Sequence, residues 1–189
     1  MPKFYPLKVK DLYKDTEQCS VIEFDIPEDL KDKFKYKAGQ YLTLRETVNG
    51  EDIRRSYSLC SSPIDDEWKV AVKQIPDGKF STHVNQFLKK DDTLQVMKPM
   101  GRFGTAISEI PKNYIVFTAG SGITPILSMI KTHLAKEPNS TFKLFYLNRT
   151  VKTIIFKEEI EQLRNQYFGR LEVFYFLTMV NKIKLMNLV

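Results

Sequence analysis

Cysteine, histidine and tryptophan are all scarce in this chain, which has two cysteines, two histidines and one tryptophan among 189 residues. Cys19 and Cys60 alone supply neither a disulfide framework nor the thiolate set of an iron–sulfur cluster, so reduced thiols and a cytoplasmic setting are expected. His83 has no candidate ligand beside it, and His133 has only Glu137 one helical turn on. That is too few for a metal site; no metal is expected, and both histidines read as structural or solvated. The N-terminal "MPKFYPLKVK" lacks the apolar core of a secretory signal. The most apolar run, Tyr114 to Ile130, is broken by Gly120, Gly122 and Pro125, so no segment is expected to span a membrane.

What is present belongs to a globular protein. Hydrophobic residues make up 42% and charged residues 28%, which excludes disorder, and the length suits two small domains. The net charge of +6 is unevenly placed: residues 1–100 hold 17 basic and 17 acidic side chains, whereas residues 101–189 hold 12 and 6. A basic second half suits an anionic ligand, a nucleic acid or an acidic partner, and equally fits scattered solvated lysines.

From Phe4 to about Met100 the pattern is short strands: "PLKVKDLY", "CSVIEFDI", "GQYLTLRETV", "DIRRSYSLC", "EWKVAVKQI" and "DTLQVMKP". Asn49-Gly50 is a strong hairpin turn, since both residues accept positive φ. Six such strands and one brief helix predict a six-stranded antiparallel Greek-key barrel, closed or nearly so. After "GRFG" the period changes. "NYIVFTAG", "TFKLFYLNR" and "RLEVFYFLTM" read as buried strands, and "TPILSMIKTHLAKE" and "IIFKEEIEQLRNQY" as the helices between them. This is a parallel βαβαβ unit, a partial nucleotide-binding domain. The boundary falls near Thr105 to Lys112, giving 1–106 and 107–189. The tail "VNKIKLMNLV" offers no helix of useful length and no partner for the third strand, so the second domain is expected to stop early or to be completed by another polypeptide. An uncovered edge or apolar face on "YIVF" predicts self-association, such as a homodimer. The phenylalanines read as core and form no stripe.

"YIVFTAGSGITPILSMI" places Gly120 and Gly122 in a strand-to-helix turn, where backbone amides bind phosphate. Thr124 is the expected N-cap, with Pro125 at the first helical position. The spacing is neither G-x-G-x-x-G nor a P-loop, and a tight turn without ligand also fits. Where a NAD site usually offers an acid to the ribose, the chain has Arg149, which suits a 2′-phosphate and favours NADPH over NADH, although a solvated arginine fits as well. In "RRSYSLCSSP", Arg55 and Tyr57 share one strand face while Ser58 points to the other or uses its backbone at the strand end. A guanidinium suits a pyrophosphate, a phenol ring can cover a flat aromatic system, and a hydroxyl can bond a ring nitrogen; together they would hold a flavin nucleotide. Taken alone, they also fit a surface strand with Tyr57 in the barrel wall. In "DGKFSTHVNQFL", Ser81 is the expected N-cap of a short helix with Val84, Phe87 and Leu88 on its inner face. The hydroxyls of Ser81 and Thr82 and the first amides could take the same pyrophosphate.

"RSYS", "VKQIPDGKFST", "PMGRF", "TAGSGITPILSMI" and "YLNRT…IIFKEEIEQL", in this order, resemble the ferredoxin–NADP reductase superfamily. The likeness is nearest to reductase components of bacterial oxygenases, of the phenylacetyl-CoA epoxidase and phenol hydroxylase type, and covers Phe4 to about Leu177. It implies FAD as cofactor, with Arg55 on the pyrophosphate, Tyr57 stacked on the isoalloxazine and Ser58 near flavin N5. The Val72-Lys73 backbone would meet the pyrimidine edge, and Gly78, Phe80, Ser81 and Thr82 would complete the cofactor site. Gly120, Gly122, Thr124 and Pro125 would line the NADPH or NADH path, with Arg149 toward the adenosine end. The Cys-Gly-Pro segment and the iron–sulfur domain of that group have no counterpart in this sequence.

The expected function is an NAD(P)H-dependent flavin oxidoreductase. Hydride would pass from nicotinamide C4 to flavin N5, and electrons would then leave singly to an iron–sulfur protein or oxygenase component, as in aromatic (phenylacetate) catabolism. Such chemistry belongs to the cofactor and needs no general base. Two rival readings are a fragment that holds FAD without turnover and a basic barrel that binds single-stranded nucleic acid. Charge neutrality of the barrel half argues against the latter.

Overall fold

The computed structural model describes residues 3–179 and the backbone of 184–186. Its first layer has six antiparallel strands: β1 (Phe4–Thr16), β2 (Cys19–Asp25), β3 (Tyr41–Val48), β4 (Glu51–Ser58), β5 (Lys69–Lys73) and β6 (Thr93–Met97). They run in the order β4-β3-β6-β1-β2-β5. A bridge between Leu59, just beyond β4, and Val70 of β5 brings the two ends of the sheet together into a curled barrel. The β3–β4 hairpin turns on Asn49 (φ 51°) and Gly50 (φ 80°), both left-handed as the pair Val48↔Glu51 requires.

Strand β2 is buried at every residue except its last, for a reason the strand alternation shows. Ile22 and Phe24 point into the barrel core, while Cys19 and Val21 point outward into a second core. Strand β5 repeats this, with Val70 and Val72 inward and Ala71 outward. Two-sided burial is what turns an alternating strand pattern into a continuous apolar run.

The second core belongs to the α/β layer. Strands β7 (Asn113–Ala119), β8 (Thr141–Asn148) and β9 (Leu171–Leu177) are parallel, in the order β9-β8-β7. Helices α3 (Ile123–Lys136) and α4 (Lys157–Gln166) follow β7 and β8 in the chain; between β5 and β6 lies α2 (Lys79–Gln86), and α1 (Lys31–Phe34) precedes β3. Ile126, Leu127, Ile130 and Leu134 of α3 pack in one cluster with Cys19, Val21, Cys60 and Ala71 of the barrel. Polar contacts seal this seam. Ser62 Oγ lies 2.7 Å from Thr132 Oγ1, Ser128 Oγ donates to the Ser61 carbonyl at 2.6 Å, and the Phe156 amide donates to Asp15 Oδ2 at 2.9 Å.

Three expectations for this layer need correction. First, the third strand does have a neighbour: β10 (Lys184–Met186) pairs antiparallel with β9, its three residues too short to register as a sequence pattern; residues 180–183 and 187–189 of the tail lie outside the described residues. Second, β7 is not buried on both faces as its apolar run suggested; among the described residues it is the sheet edge, and the uncovered apolar face expected there is present, with Ile115 and Phe117 exposed, Phe117 at 74%. Third, the phenylalanines do form a stripe. Phe117, Phe145 and Phe174 stack across β7, β8 and β9 with centroids 4.8 and 4.9 Å apart, because a parallel register brings equivalent positions side by side. Among the described residues no helix is long and apolar enough to cross a membrane.

Of the two readings for His133, structural or solvated, the structural one holds. It is fully buried, with Nδ1 2.8 Å from Glu137 Oε1, and Glu137 also accepts from the Ser108 amide at 2.8 Å and the Tyr114 hydroxyl at 3.1 Å. Burial alone would raise the Glu137 carboxyl, but the hydrogen bonds from Ser140, Ser108, His133 and Tyr114 outweigh it and hold it down to about 2. A carboxyl depressed on folding stabilises the protein above its ordinary range near 4.5 and loses that contribution as pH falls toward about 2. Glu137→Gln is therefore expected to lower neutral-pH stability by roughly 1–3 kcal/mol and to flatten the loss of stability in that acid window, read from urea midpoints at a series of pH values.

Candidate functional site

A cleft of about 910 Å³ opens between the barrel and the start of α3. Arg55, Tyr57 and Ser58 of β4 form one wall, Ala71 and Lys73 of β5 the floor, and the 75–81 segment a second wall. Ser121, Gly122, Thr124 and Pro125 close it from the α/β side. The site exists because the seam between the layers holds the two halves of its lining together.

The arginine pair divides its labour by strand alternation. Arg54 lines the cleft together with Asp52 but is committed to it: Arg54 Nη2 and Arg45 Nε reach the two Asp52 oxygens at 3.0 and 2.9 Å, and both guanidinium groups lie 5.3 Å from the Phe4 ring. Arg55, on the opposite face, makes no ion pair among the described residues and donates only to the Arg54 carbonyl at 2.8 Å. Lys73 likewise forms no ion pair among the described residues, and a Cβ placed on Gly120 would sit 3.8 Å from its Nζ. Lys79 is engaged with Glu51 at 2.5 Å. The cleft thus holds two uncommitted cations, a setting for an anion.

Tyr57 stacks on buried Phe80, with ring centroids 5.8 Å apart and planes at 30°. Burial pushes the Tyr57 phenol up to about 12, against the opposing charge of Arg55. It therefore stays a neutral O–H at neutral pH and offers a ring surface rather than a proton relay. Burial also pushes the Cys19 thiol up to about 12 and the Cys60 thiol higher still, so neither is a ready nucleophile.

Helix α2 begins one turn earlier than expected. Gly78 is its N-cap, and no side chain caps the first amides. Ser81 lies inside the first turn, where its hydroxyl donates to the Gly78 carbonyl at 3.1 Å and accepts from the Ile75 amide at 3.3 Å. The turn at Asp77 (φ 58°) and this hydroxyl fold the loop so tightly that a Cβ on Gly78 would collide with Ser81 Oγ and Ile75. Val84 and Leu88 are buried as expected, but Phe87 is 62% exposed, because the helix ends at Gln86 and the chain turns out. Helix α3 also starts early, after a 3₁₀ turn over Gly120–Gly122. Gly122 rather than Thr124 is its N-cap, Thr124 Oγ1 donates to the Ser121 carbonyl at 3.0 Å, and Pro125 sits at the third helical position, where an N–H is still not needed.

Of the residues singled out in the sequence, the cleft brings together Arg55, Tyr57, Ser58, Lys73, Gly78, Phe80, Ser81, Gly122, Thr124 and Pro125. Val72 is fully buried in the barrel core, so only its backbone can face a ligand. Thr82 lies in a neighbouring hollow, and Gly120 is adjacent through Lys73. Arg149 is not among the lining; it is exposed at the end of β8, beside the buried Asn148. Ile75, Pro76, Lys79 and Ser121 line the cleft without having been singled out. The sign separating Arg54 from Arg55 was legible as the i, i+2 spacing of Asp52 and Arg54.

Comparison with known proteins agrees with this architecture. The oxidoreductase FAD-binding domain family matches residues 6–104, and the oxidoreductase NAD-binding domain family matches residues 116–184. One component of the 1,2-phenylacetyl-CoA epoxidase of Escherichia coli K12 is 38% identical over 174 residues, 92% of this chain and 49% of that protein. The ferredoxin reductase component of 3-ketosteroid-9-alpha-monooxygenase from Rhodococcus rhodochrous is 38% identical over 176 residues, again 92% and 49%. The solved structure of phthalate dioxygenase reductase, described as modular for electron transfer from pyridine nucleotides to [2Fe-2S], superposes with a TM-score of 0.73 at 25% identity, covering 90% of this chain and 51% of that one. The chain spans about half the length of the curated relatives it matches.

Because the loop before α2 has no room at Gly78, Gly78→Ala is expected to displace Ser81 and Ile75 and cost about 1–3 kcal/mol. The check is a lowered urea midpoint with an unchanged slope.

Proposed function

The chain belongs to the oxidoreductase FAD-binding domain family, and from that premise we propose that it is a flavin-dependent NAD(P)H oxidoreductase module, with residues 1–106 as the FAD unit and 107–189 as a partial nicotinamide-nucleotide unit. The observation that carries the reading is Arg55, without an ion pair among the described residues, beside the Tyr57–Phe80 ring stack and the uncapped start of α2, all in one cleft. A guanidinium and free amides suit a pyrophosphate, a neutral aromatic wall suits an isoalloxazine, and the tight Gly78 turn leaves backbone open to approach. The residues present fit the group.

Each side chain then has a task. Arg55 and the first amides of α2 neutralise the pyrophosphate, with Gly78, Ser81 and Thr82 shaping the turn around it. Tyr57 covers one face of the ring system, backed by Phe80, and Ser58 offers a hydroxyl near N5. The Val72-Lys73 backbone meets the pyrimidine edge, and Lys73 adds a positive charge there. Gly120, Gly122, Thr124 and Pro125 leave a path for NADPH or NADH along the α/β wall, and Arg149 suits the 2′-phosphate of NADPH. Bound there, a flavin would supply the redox chemistry, exchanging a hydride with a nicotinamide and single electrons with an acceptor, while Arg55, Tyr57 and Ser58 would hold and orient it. No group in the cleft has to act as a general base, and neutral Tyr57 is consistent with that.

The acceptor in this reading is an iron–sulfur protein or oxygenase component, as the names of the relatives suggest, and phenylacetate catabolism is the finer assignment that the epoxidase relative supports. Two buried, protonated thiols support a reducing cytoplasmic setting. The bare face of Phe117, Phe145 and Phe174, next to the edge of β7 that no described strand pairs, supports a homodimer, since a second copy can satisfy the edge and cover the rings together.

A second reading is FAD binding without turnover, since the features described gather at the flavin side of the cleft and Arg149 lies outside its lining. An anaerobic visible spectrum of the FAD-loaded protein separates the two: NADPH is expected to bleach the flavin band faster than NADH does, whereas a bound flavin that stays oxidised with both leaves only the binding reading. Failure to retain FAD at all overturns both. For assembly, light scattering across a concentration series is expected to show mass rising toward twice that of the monomer, and Phe117→Lys is expected to hold the protein monomeric; a wild-type monomer throughout would sink the homodimer.

A further inference from the structure

The glycine turn ahead of α3 is held from beneath by one hydroxyl. Tyr146 of β8 is fully buried and stands opposite Thr118 in the parallel register, and its hydroxyl reaches two residues further, to the turn that follows β7. It donates to the Gly120 carbonyl at 2.9 Å, with the Ile155 carbonyl 3.3 Å away. The other bonds of the turn are internal: the Ile123 amide donates to the Gly120 and Ser121 carbonyls, and Thr124 Oγ1 donates to the Ser121 carbonyl. Among the described residues, Tyr146 therefore makes the hydrogen bond that ties this turn to another strand. Burial pushes its phenol up, so the group stays a neutral O–H donor. The segment on its far side is anchored as well. Phe156, next to Ile155, is buried in the left-handed conformation (φ 59°) and gives its amide to Asp15 of β1 at 2.9 Å.

We infer that Tyr146 is a positioning residue for the nicotinamide nucleotide: by holding the Gly120 carbonyl in the seam, it aims the amides of the Gly120–Gly122 turn into the cleft. The inference rests on the nucleotide reading above and deepens it, naming a buried residue that acts through the turn rather than by touching the ligand. The physical reason lies in the peptide unit. A trans peptide points its C=O and N–H to opposite sides, and no described peptide bond is cis, so a carbonyl drawn down to Tyr146 turns the following N–H, that of Ser121, outward. Ser121 lines the cleft, and amides at the start of a helical turn have no partner within it. Gly120 itself is left-handed (φ 50°), and glycine has many other conformations open to it, so without an outside tie this peptide can turn over. A ligand would then have to order the turn as it bound, at a cost to its affinity. The anion these amides suit is the pyrophosphate, which NADPH and NADH share. Tyr146 thus sets the affinity for both nucleotides and the preference for neither.

The test is a calorimetric titration of the FAD-loaded full chain with NADP⁺ and with NAD⁺, for the wild type, Tyr146→Phe and Tyr175→Phe. Phenylalanine keeps the ring and its packing, so both variants are expected to fold and to hold FAD as the wild type does. Tyr146→Phe is expected to weaken both nucleotides ~tenfold and to leave their ratio unchanged. Tyr175→Phe removes another buried hydroxyl of the same layer, one that donates to Glu161 at 3.0 Å, and is expected to leave both affinities as they are. Wild-type affinity in Tyr146→Phe, a loss confined to NADP⁺, or an equal loss in Tyr175→Phe overturns the positioning role, while nucleotide binding by the wild type keeps the nucleotide reading intact. If the wild type binds neither nucleotide, that reading falls and the positioning role falls with it.

Discussion

The seam between barrel and α/β layer is the constraint on which the site depends. Strands β2 and β5 carry apolar side chains on both faces, and α3 lies against the outer set. Hydrophobic burial of this kind is strong but non-directional, and would allow the layers to slide. The buried Ser62–Thr132 and Ser128–Ser61 hydrogen bonds supply direction, since displacing either hydroxyl would leave a polar group unpaired in an apolar seam. With the seam fixed, the β4 wall and the α3 start face each other at one separation.

Within that frame the electrostatics sort by sequestration. Asp52 and Glu51 occupy Arg54, Arg45 and Lys79, while Arg55 and Lys73 have no carboxylate in reach among the described residues and aim their charge at the cleft. Residues 1–100 carry no net charge by count, yet Arg55 and Lys73 in the cleft they line have no ion-pair partner among the described residues. Placement, rather than total charge, carries the information about the ligand.

Much of this was legible in the sequence. The Asn49-Gly50 hairpin, the strand order of periods 2 and then 3.6, and the glycine turn before α3 are local patterns with local causes. What escaped was set by tertiary contact. Helix starts moved by three residues in α2 and two in α3 because Ser81 and Thr124 found carbonyl partners inside the first turn instead of capping it. Phe87 fits the helical apolar period, but the helix stops one residue before it. The Phe117–Phe145–Phe174 row is invisible along the chain because its members lie on three different strands and meet only through register. His133 gave no sign of its partners beyond Glu137, since Ser108 and Tyr114 reach the same carboxylate from another loop and another strand.

The two-sided burial of β2 and β5 also bears on how the chain is made. The barrel half leaves the ribosome first, and its outer stripe of Cys19, Val21, Cys60 and Ala71 has nothing to cover it until α3 has been synthesised. For that interval the newborn barrel carries an adhesive surface on its most sheet-prone strands, the condition under which nascent chains aggregate or engage holding chaperones. The element that shapes one wall of the cleft is therefore also the one that ends this vulnerable stage of biosynthesis.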